Sequence, residues 1–285
     1  VEIGIGLPNP IPGTPGRLLG DWARRAEERG FATLATIDRV AYPSFESLIS
    51  LAAAAAVTER IRLLTNILLA PTRNPVLLAK EAASVDQISG GRLTLGLAVG
   101  SREDDYRASG REFATRGRRL DEDLELMHRV WRGEPTGEAG TRVGPVPVGG
   151  GRVPVLFGGA SDGSLRRTVR WGVGWTGGGA GPDRSGPFVE RLLRAWTEAG
   201  REGRPRLVGL SYFAMGEEGS GLARTYLIDY YGDTGARLAE AIPTSATAVE
   251  ETARSYEEHG YDELILVPTV ARLDQLERLA DAVRS

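Results

Sequence analysis

The chain has 285 residues, 41% of them apolar, enough to bury a large core as one α/β barrel or as two smaller domains. Its 35 basic and 38 acidic residues leave a formal net charge of −3, which gives no reason to expect a nucleic-acid partner, and the absence of cysteine excludes disulfides, thiolate catalysis and cysteine-ligated metals. No stretch approaches ~18 consecutive apolar residues and no signal-like segment precedes the first strand, so a cytoplasmic protein without membrane contact is expected, its numbering starting after a short leader or tag because Val1 is not Met.

The first strand is expected near Glu2, in EIGIGL. Leu19, Trp22, Ala23 and Ala26 then make one apolar helical face that Gly30 ends, and FATLATI from Phe31 is the second strand. Phe45 to Val57 is an Ala-rich second helix. Ile61 to Leu69 is an apolar, partly β-branched run without alternation, as expected of a strand buried on both faces. Asn74-Pro75 opens the third helix, since Asn accepts from the free first-turn amides and proline lacks an N–H where none is needed. Leu78, Ala82, Val85 and Ile88 give it an apolar face, and Gly90-Gly91 stop it before the strand Leu93 to Val99.

Leu120, Leu124, Met127 and Trp131 mark a fourth helix. Two stretches rich in glycine and proline, 133–153 and 177–187, read as loops or short insertions. Strands resume at Val153 to Phe157 and Gly172 to Thr176, with a helix from about Ser164 to Trp171 between them. The last strands are Leu207 to Met215 and Glu263 to Val267, and Leu273 to Val283 is a closing helix. Interleaved Arg and acidic residues read as solvated helix faces. Right-handed βα crossovers repeated eight times close into a (β/α)8 TIM barrel, here one domain over residues 1–285 with a loop insertion near 133–153. A doubly wound open sheet would need a strand-order reversal that nothing in the chain marks.

Barrel chemistry sits on loops at the strands' C-terminal ends, which nominates Pro8-Asn9, Asp38 to Tyr42, Asn66 to Arg73, Gly100 to Tyr106, Gly158 to Asp162, Trp175 to Gly179, Gly216 onward and Pro268-Thr269. Gly158-Gly159-Ala160-Ser161, between a strand and a helix, is small enough for backbone to approach a phosphate at a helix N-terminus; a plain tight turn is the alternative. His128, on the apolar side of the fourth helix, and His259, in a last helical turn before Gly260, read as structural.

GFATLATIDR at 30–39, NPVLLAKEAASVDQISGGRLTLGLAVG at 74–100, VLFGGASDGSLRRTVRWGVGW at 155–175 and GYDELILVP at 260–268 together resemble the bacterial luciferase-like superfamily of flavin- and deazaflavin-dependent oxidoreductases. The resemblance implies an isoalloxazine ring in the barrel mouth. It further implies a non-prolyl cis peptide at Asn66-Ile67, forming a bulge under the ring; a plain strand-end hydrogen bond from Asn66 is the alternative. Gly100 and Ser101 would edge the mouth, and Gly158, Gly159, Ala160 and Ser161 would take the cofactor phosphate. Bacterial luciferase carries an arginine for that phosphate where this chain has Val99, and Arg102 is the candidate substitute.

Many relatives place a histidine after the acidic residue ending strand two, and here that position is Arg39. Arginine keeps its proton at any working pH, so Arg39 is no general base. Asp38 and Arg39 are the candidate catalytic residues, with Arg39 holding an anionic substrate or flavin edge; an Asp38–Arg39 ion pair is the alternative. Glu103, Asp104, Asp105 and Tyr106 form an acidic cluster near the mouth, or equally a helix N-terminal patch.

The resemblance thus implies a monooxygenase that uses reduced FMN, supplied by a separate NAD(P)H flavin reductase, and O2 to oxygenate a small organic substrate, without metal. Hydride transfer by a deazaflavin of the coenzyme F-420 type, in a dehydrogenase or reductase, is the second reading, and a non-catalytic flavin-binding relative the third. Relatives commonly dimerise through helices two and three, and the alanines from Ala52 to Ala56 suit a homodimer there or packing of helix two on the barrel.

Overall fold

A computed structural model of the chain describes residues 1–137, 140–179 and 181–283. Eight parallel strands, β1 (Glu2–Gly6), β2 (Thr33–Thr36), β3 (Arg62–Leu69), β4 (Leu93–Ala98), β5 (Val155–Gly158), β6 (Gly174–Thr176), β7 (Arg206–Phe213) and β8 (Glu263–Pro268), pair in sequence order, and β8 closes on β1. The helices are α1 (Gly16–Glu28), α2 (Ser47–Ala55), α3 (Pro75–Ser89), α4 (Glu103–Ala108), α5 (Arg116–Trp131), α6 (Asp162–Trp171), α7 (Pro182–Glu198), α8 (Glu217–Tyr231), α9 (Asp233–Glu240), α10 (Ala246–Glu258) and α11 (Leu273–Ala282). Of these, α4, α8 and α9 are additions to the eight crossovers of a (β/α)8 barrel. Among the described residues, no helix is long and apolar enough to cross a membrane.

The punctuation read from the sequence operates as expected in the third unit. Asn74 Oδ1 accepts from the amides of Val76 and Leu77, at 3.0 and 3.1 Å, and Gly90 ends α3 in the left-handed conformation with φ 67°. Two expectations need correction. Ile88 does not complete the buried face of α3 but is 56% exposed, because the face turns through Val85, Asp86 and Ser89 instead. The stretch 177–187 is not all loop: α7 starts at Pro182, and Pro187 lies inside it. Proline is preorganised for the first helical position, which Pro182 takes, and the buried face of Phe188, Val189, Leu192 and Trp196 outweighs both the interior Pro187 and the loop-like composition. Of the insertion 133–153, residues 138 and 139 lie outside the described residues; Val148 N bonds Asp86 Oδ2 on α3 at 2.8 Å.

Two cores result. One lies between barrel and helices and contains Trp22, Leu51, Leu124, Trp131 and Leu276. The other is built from Ala35, Leu64, Leu156, Val208 and Ile265 on five strands, joined by Tyr226, Leu227 and Tyr230 of α8. Each fully buried Leu or Ile contributes roughly 1.5–3 kcal/mol by leaving water. Their association with the barrel core makes α8 a cover over the C-terminal end. At the opposite end Glu263, fully buried, lies between Arg62 and Arg206, and Arg62 also bonds Glu2 and the Thr33 hydroxyl.

Candidate active site

The C-terminal end of the barrel holds a cavity of about 230 Å³. Its floor is a disruption of β3: the pairing with β4 runs to Thr65, slips, and resumes at Leu68, and the Asn66-Ile67 peptide between them is cis. Small residues on the neighbouring strands make room for this bulge. A Cβ on Gly158 would lie 2.2 Å from Ile67 Cδ1, and one on Gly96 would lie 2.0 Å from the Thr65 carbonyl oxygen. Thr65 Oγ1 ties the bulge to β4 by accepting from Gly96 N and donating to Gly96 O, both at 2.9 Å. Asn66 accepts from the Thr176 hydroxyl at 2.7 Å, which aims the amide, while its buried Nδ2 has no partner among the described residues.

The cavity walls come from successive strand ends: Gly100 to Arg102 after β4, Gly158 and Gly159 at the end of β5, and Thr176 to Gly179 from the end of β6. Glycine here is backbone brought close to a ligand. Gly159 has φ 83° with no atom near its missing Cβ, and Gly178 is likewise open. A complete small-molecule site spans ~300–1,000 Å³, so the inner slot suits a planar ring and leaves tail and substrate to the rim. An orphaned amide, a peptide bulge and a glycine-lined slot fit a flat heteroaromatic group with polar edges.

Asp38 and Arg39, adjacent in sequence, do not pair with each other. Asp38 receives both terminal nitrogens of Arg73, at 2.8 and 2.9 Å, and the Leu69 amide at 2.9 Å. Arg39 turns to α4, donating to Asp104 at 2.8 Å and lying 2.9 Å from Asp105 Oδ2. The divergence is geometric, because neighbouring side chains after a strand point apart and each finds a different loop. Asp105 also accepts the amides of Val40 and Ala41, both at 2.8 Å, so the acidic cluster serves as an anchor for the β2 loop. Burial lowers the pKa of the Arg73 guanidinium, but the attraction and hydrogen bonds of Asp38 and then Glu46 outweigh it and leave it raised.

Sequence reasoning missed the cover. Tyr230 and Tyr231 of α8 line the cavity, and Tyr230 packs edge-on against Tyr42 of the β2 loop, whose hydroxyl bonds Asp229. Tyr231 shares a 2.6 Å hydroxyl bond with Tyr212. Burial, foremost, raises the pKa of Tyr230 and Tyr231, so both present neutral hydroxyls. The run YLIDYY places Tyr226 and Tyr230 one helical turn apart, a signal that only a helix over 217–231 makes readable.

The other sequence-nominated residues divide. Asp38, Arg39, Asn66, Ile67, Gly100, Ser101, Arg102, Gly158 and Gly159 all line the cavity. Ala160 and Ser161 do not: they are exposed, and Ser161 caps α6 by accepting from Ser164 N at 3.2 Å. His128 is buried in a stack on Trp171 at 4.5 Å, and burial, with Arg132 and Arg152 nearby, pushes its pKa down to about 4. His259 is the C-cap residue of α10.

A family model described as luciferase-like monooxygenase matches residues 3–262. The chain belongs to this family. As a luciferase-like protein it is 31% identical over 208 residues to the uncharacterized protein Rv0940c of Mycobacterium tuberculosis, covering 63% of this chain and 71% of the relative. It is 37% identical over 79 residues to the oxygenase component of a flavin-dependent trigonelline monooxygenase from Acinetobacter baylyi, a match to 27% of this chain and 22% of that one. Among solved structures, a secondary alcohol dehydrogenase dependent on coenzyme F-420 superposes with a TM-score of 0.81 at 16% identity, over 100% of this chain and 99% of the other.

Proposed function

We propose that this luciferase-like protein is a flavin-dependent monooxygenase, using reduced FMN and O2 to oxygenate a small organic substrate. The observation that carries the reading is the cavity floor, where the β3 bulge sets the unpartnered Asn66 amide nitrogen beneath a slot walled by backbone. Local identity to a flavin-dependent oxygenase component supports it, and so suggests a separate NAD(P)H flavin reductase as supplier.

Asn66, Ile67, Gly100, Ser101, Gly158 and Gly159 are the residues assigned to the ring and its near tail. Ala160 and Ser161, at the start of α6, are assigned to the phosphate. Bound there, reduced flavin supplies the electrons that activate oxygen. The protein's part is to orient and to exclude water, and the tyrosine-bearing α8 is placed for the second task. Arg39 retains its charge and is fixed by Asp104 and Asp105, so it orients an electron-rich ring or substrate edge and removes no proton. Asp38, with both oxygens committed to Arg73, positions the β2 and β3 loop ends that carry Arg39 and Asn66.

Hydride transfer by a deazaflavin is the second reading. It is favoured by the outer space of about 680 Å³ continuous with the rim at Arg39, Arg102, Tyr230 and Tyr231, which has room for a longer tail. Titration of purified protein with FMN and with coenzyme F-420 under absorbance and fluorescence, followed by oxygen uptake after reduction, decides between them. FMN binding with oxygen uptake supports the first, F-420 binding without uptake the second, and ring binding with neither chemistry a non-catalytic relative. A homodimer through α2 and α3 is also proposed, because Ile49, Leu77 and Ile88 expose a contiguous apolar groove there. Light scattering tests it, with Leu77→Glu expected to give monomer.

A further inference from the structure

The inner slot and the outer space of the rim are lined by three arginines, Arg39, Arg102 and Arg107. Arg39 is saturated by Asp104 and Asp105, and Arg107 is exposed and lines the outer space alone. Arg102 is different. Among the described residues its guanidinium makes no hydrogen bond or ion pair; its central carbon lies 4.9 Å from the Tyr230 ring centroid and 5.0 Å from that of Tyr231, and its Nη1 is buried without a partner. Two aromatic faces hold the cation in place and satisfy none of its N–H donors. A desolvated donor left unpaired is costly, and an arriving acceptor recovers that cost.

Arg102 shares the inner slot with the strand-end glycines but also reaches beyond it. Gly158 and Gly159, which lead to the start of α6, line the inner slot only. Arg102 lines both the inner slot and the outer space that it shares with Arg39, Tyr42 and Tyr230. Of the acids lining that outer space, Asp104 holds Arg39 and Asp229 accepts from Tyr42, while Glu103 is exposed to solvent. We propose that Arg102 receives the anionic group of the substrate, and that the natural substrate is a small organic acid whose carboxylate docks on this guanidinium while its body enters between the ring and the tyrosines. The planar fork of arginine matches a carboxylate bidentately, and the flanking tyrosine faces favour a flat or aromatic body.

This inference rests on the inner slot being the ring site, and the test separates the two. Benzoate and 4-hydroxyphenylacetate, with benzamide and 4-hydroxyphenylacetamide as neutral counterparts, are titrated by calorimetry into the protein with and without saturating FMN or coenzyme F-420. The acids are expected to bind about tenfold or more tightly than their amides, as for a hydrogen bond to a charged group. Arg102→Gln is expected to erase that preference and Arg102→Lys to keep part of it, both leaving FMN affinity within about threefold. Equal or undetectable binding of acids and amides overturns the proposal. So does an FMN affinity that falls about tenfold in Arg102→Gln while riboflavin affinity is unchanged, which would make Arg102 a phosphate contact. Acid preference without binding of either cofactor would uphold Arg102 and reject the ring site.

Discussion

The two ends of this barrel use buried polar groups in opposite ways. At the N-terminal end, Glu263 is fully enclosed and satisfied by Arg62 and Arg206, with Glu2 and Thr33 completing the cluster. At the C-terminal end, Asp38 and Arg39 are satisfied, but Asn66 Nδ2 and Arg102 Nη1 are buried and unpartnered beside a cavity. Closed charge clusters hold a fold, whereas donors left open at a cavity wall are free energy reserved for a ligand. In (β/α)8 barrels generally, the bottom serves stability and the top serves chemistry.

The sharpest way to break that contrast is Glu263→Gln, which leaves two partly exposed arginines facing a neutral partner that is itself fully buried. Removing one member of a buried pair costs about 3–5 kcal/mol, so the urea midpoint should fall steeply while FMN affinity of the folded protein changes little. A loss below about 1 kcal/mol would show that the bottom cluster is solvated and not a closure.

Gly96→Ala attacks the other end. The added Cβ would meet the Thr65 carbonyl at 2.0 Å, a backbone contact that cannot be relieved by a rotamer, and would displace the bulge. Overpacking of this kind costs about 1–3 kcal/mol, and here FMN affinity should fall with it. Gly20→Ala in α1, where nothing lies near the new Cβ, is the matched control and should gain about 0.5–1 kcal/mol without touching binding.

What the sequence made legible follows from how local each signal is. The eight strands, and the helices carried by Trp22, Asn74 and Trp131, stand where periodicity and caps put them, because each depends on residues within a few positions. Nine of the eleven site residues nominated also line one cavity, since strand-end position in a barrel decides that. Partner choice was not legible. Asp38 meets Arg73 and Arg39 meets Asp105, pairings across 35 and 66 residues that no local pattern encodes. The tyrosine cover was hidden because α8 carries apolar and polar residues all round, and its function appears only when it lies over the mouth.

Asn66→Ala gives a smaller effect that sharpens the comparison. It removes one hydrogen bond, from Thr176, and an amide nitrogen that bonds nothing in the free protein, so stability should fall by only about 1 kcal/mol. FMN affinity, measured by fluorescence titration, should drop by about tenfold if that nitrogen is held for the ring. An affinity loss no larger than the stability loss would return Asn66 to the role of a strand-end hydrogen bond.

The gentlest test uses unpartnered groups that face no cavity wall of the mouth. On α5, Asp123 Oδ2 and His128 Nε2 are buried without partners among the described residues. Burial, against the pull of Arg119 and Arg111, pushes the Asp123 carboxyl up to about 6, and burial pushes His128 down to about 4. Between roughly pH 4 and 6.5 the unfolded chain protonates its histidine while folded His128 stays neutral, so His128 makes stability fall on acidification. Over roughly pH 6 to 4 folded Asp123 holds a proton that the unfolded chain has released, so Asp123 makes stability rise on acidification. The two slopes oppose each other in the native protein. His128→Gln should therefore gain stability, relative to the native protein, as pH falls through this window, and Asp123→Asn should lose it, when urea midpoints are compared across pH. Neither change should alter FMN affinity at neutral pH, since an orphaned polar atom away from the mouth has no ligand to wait for.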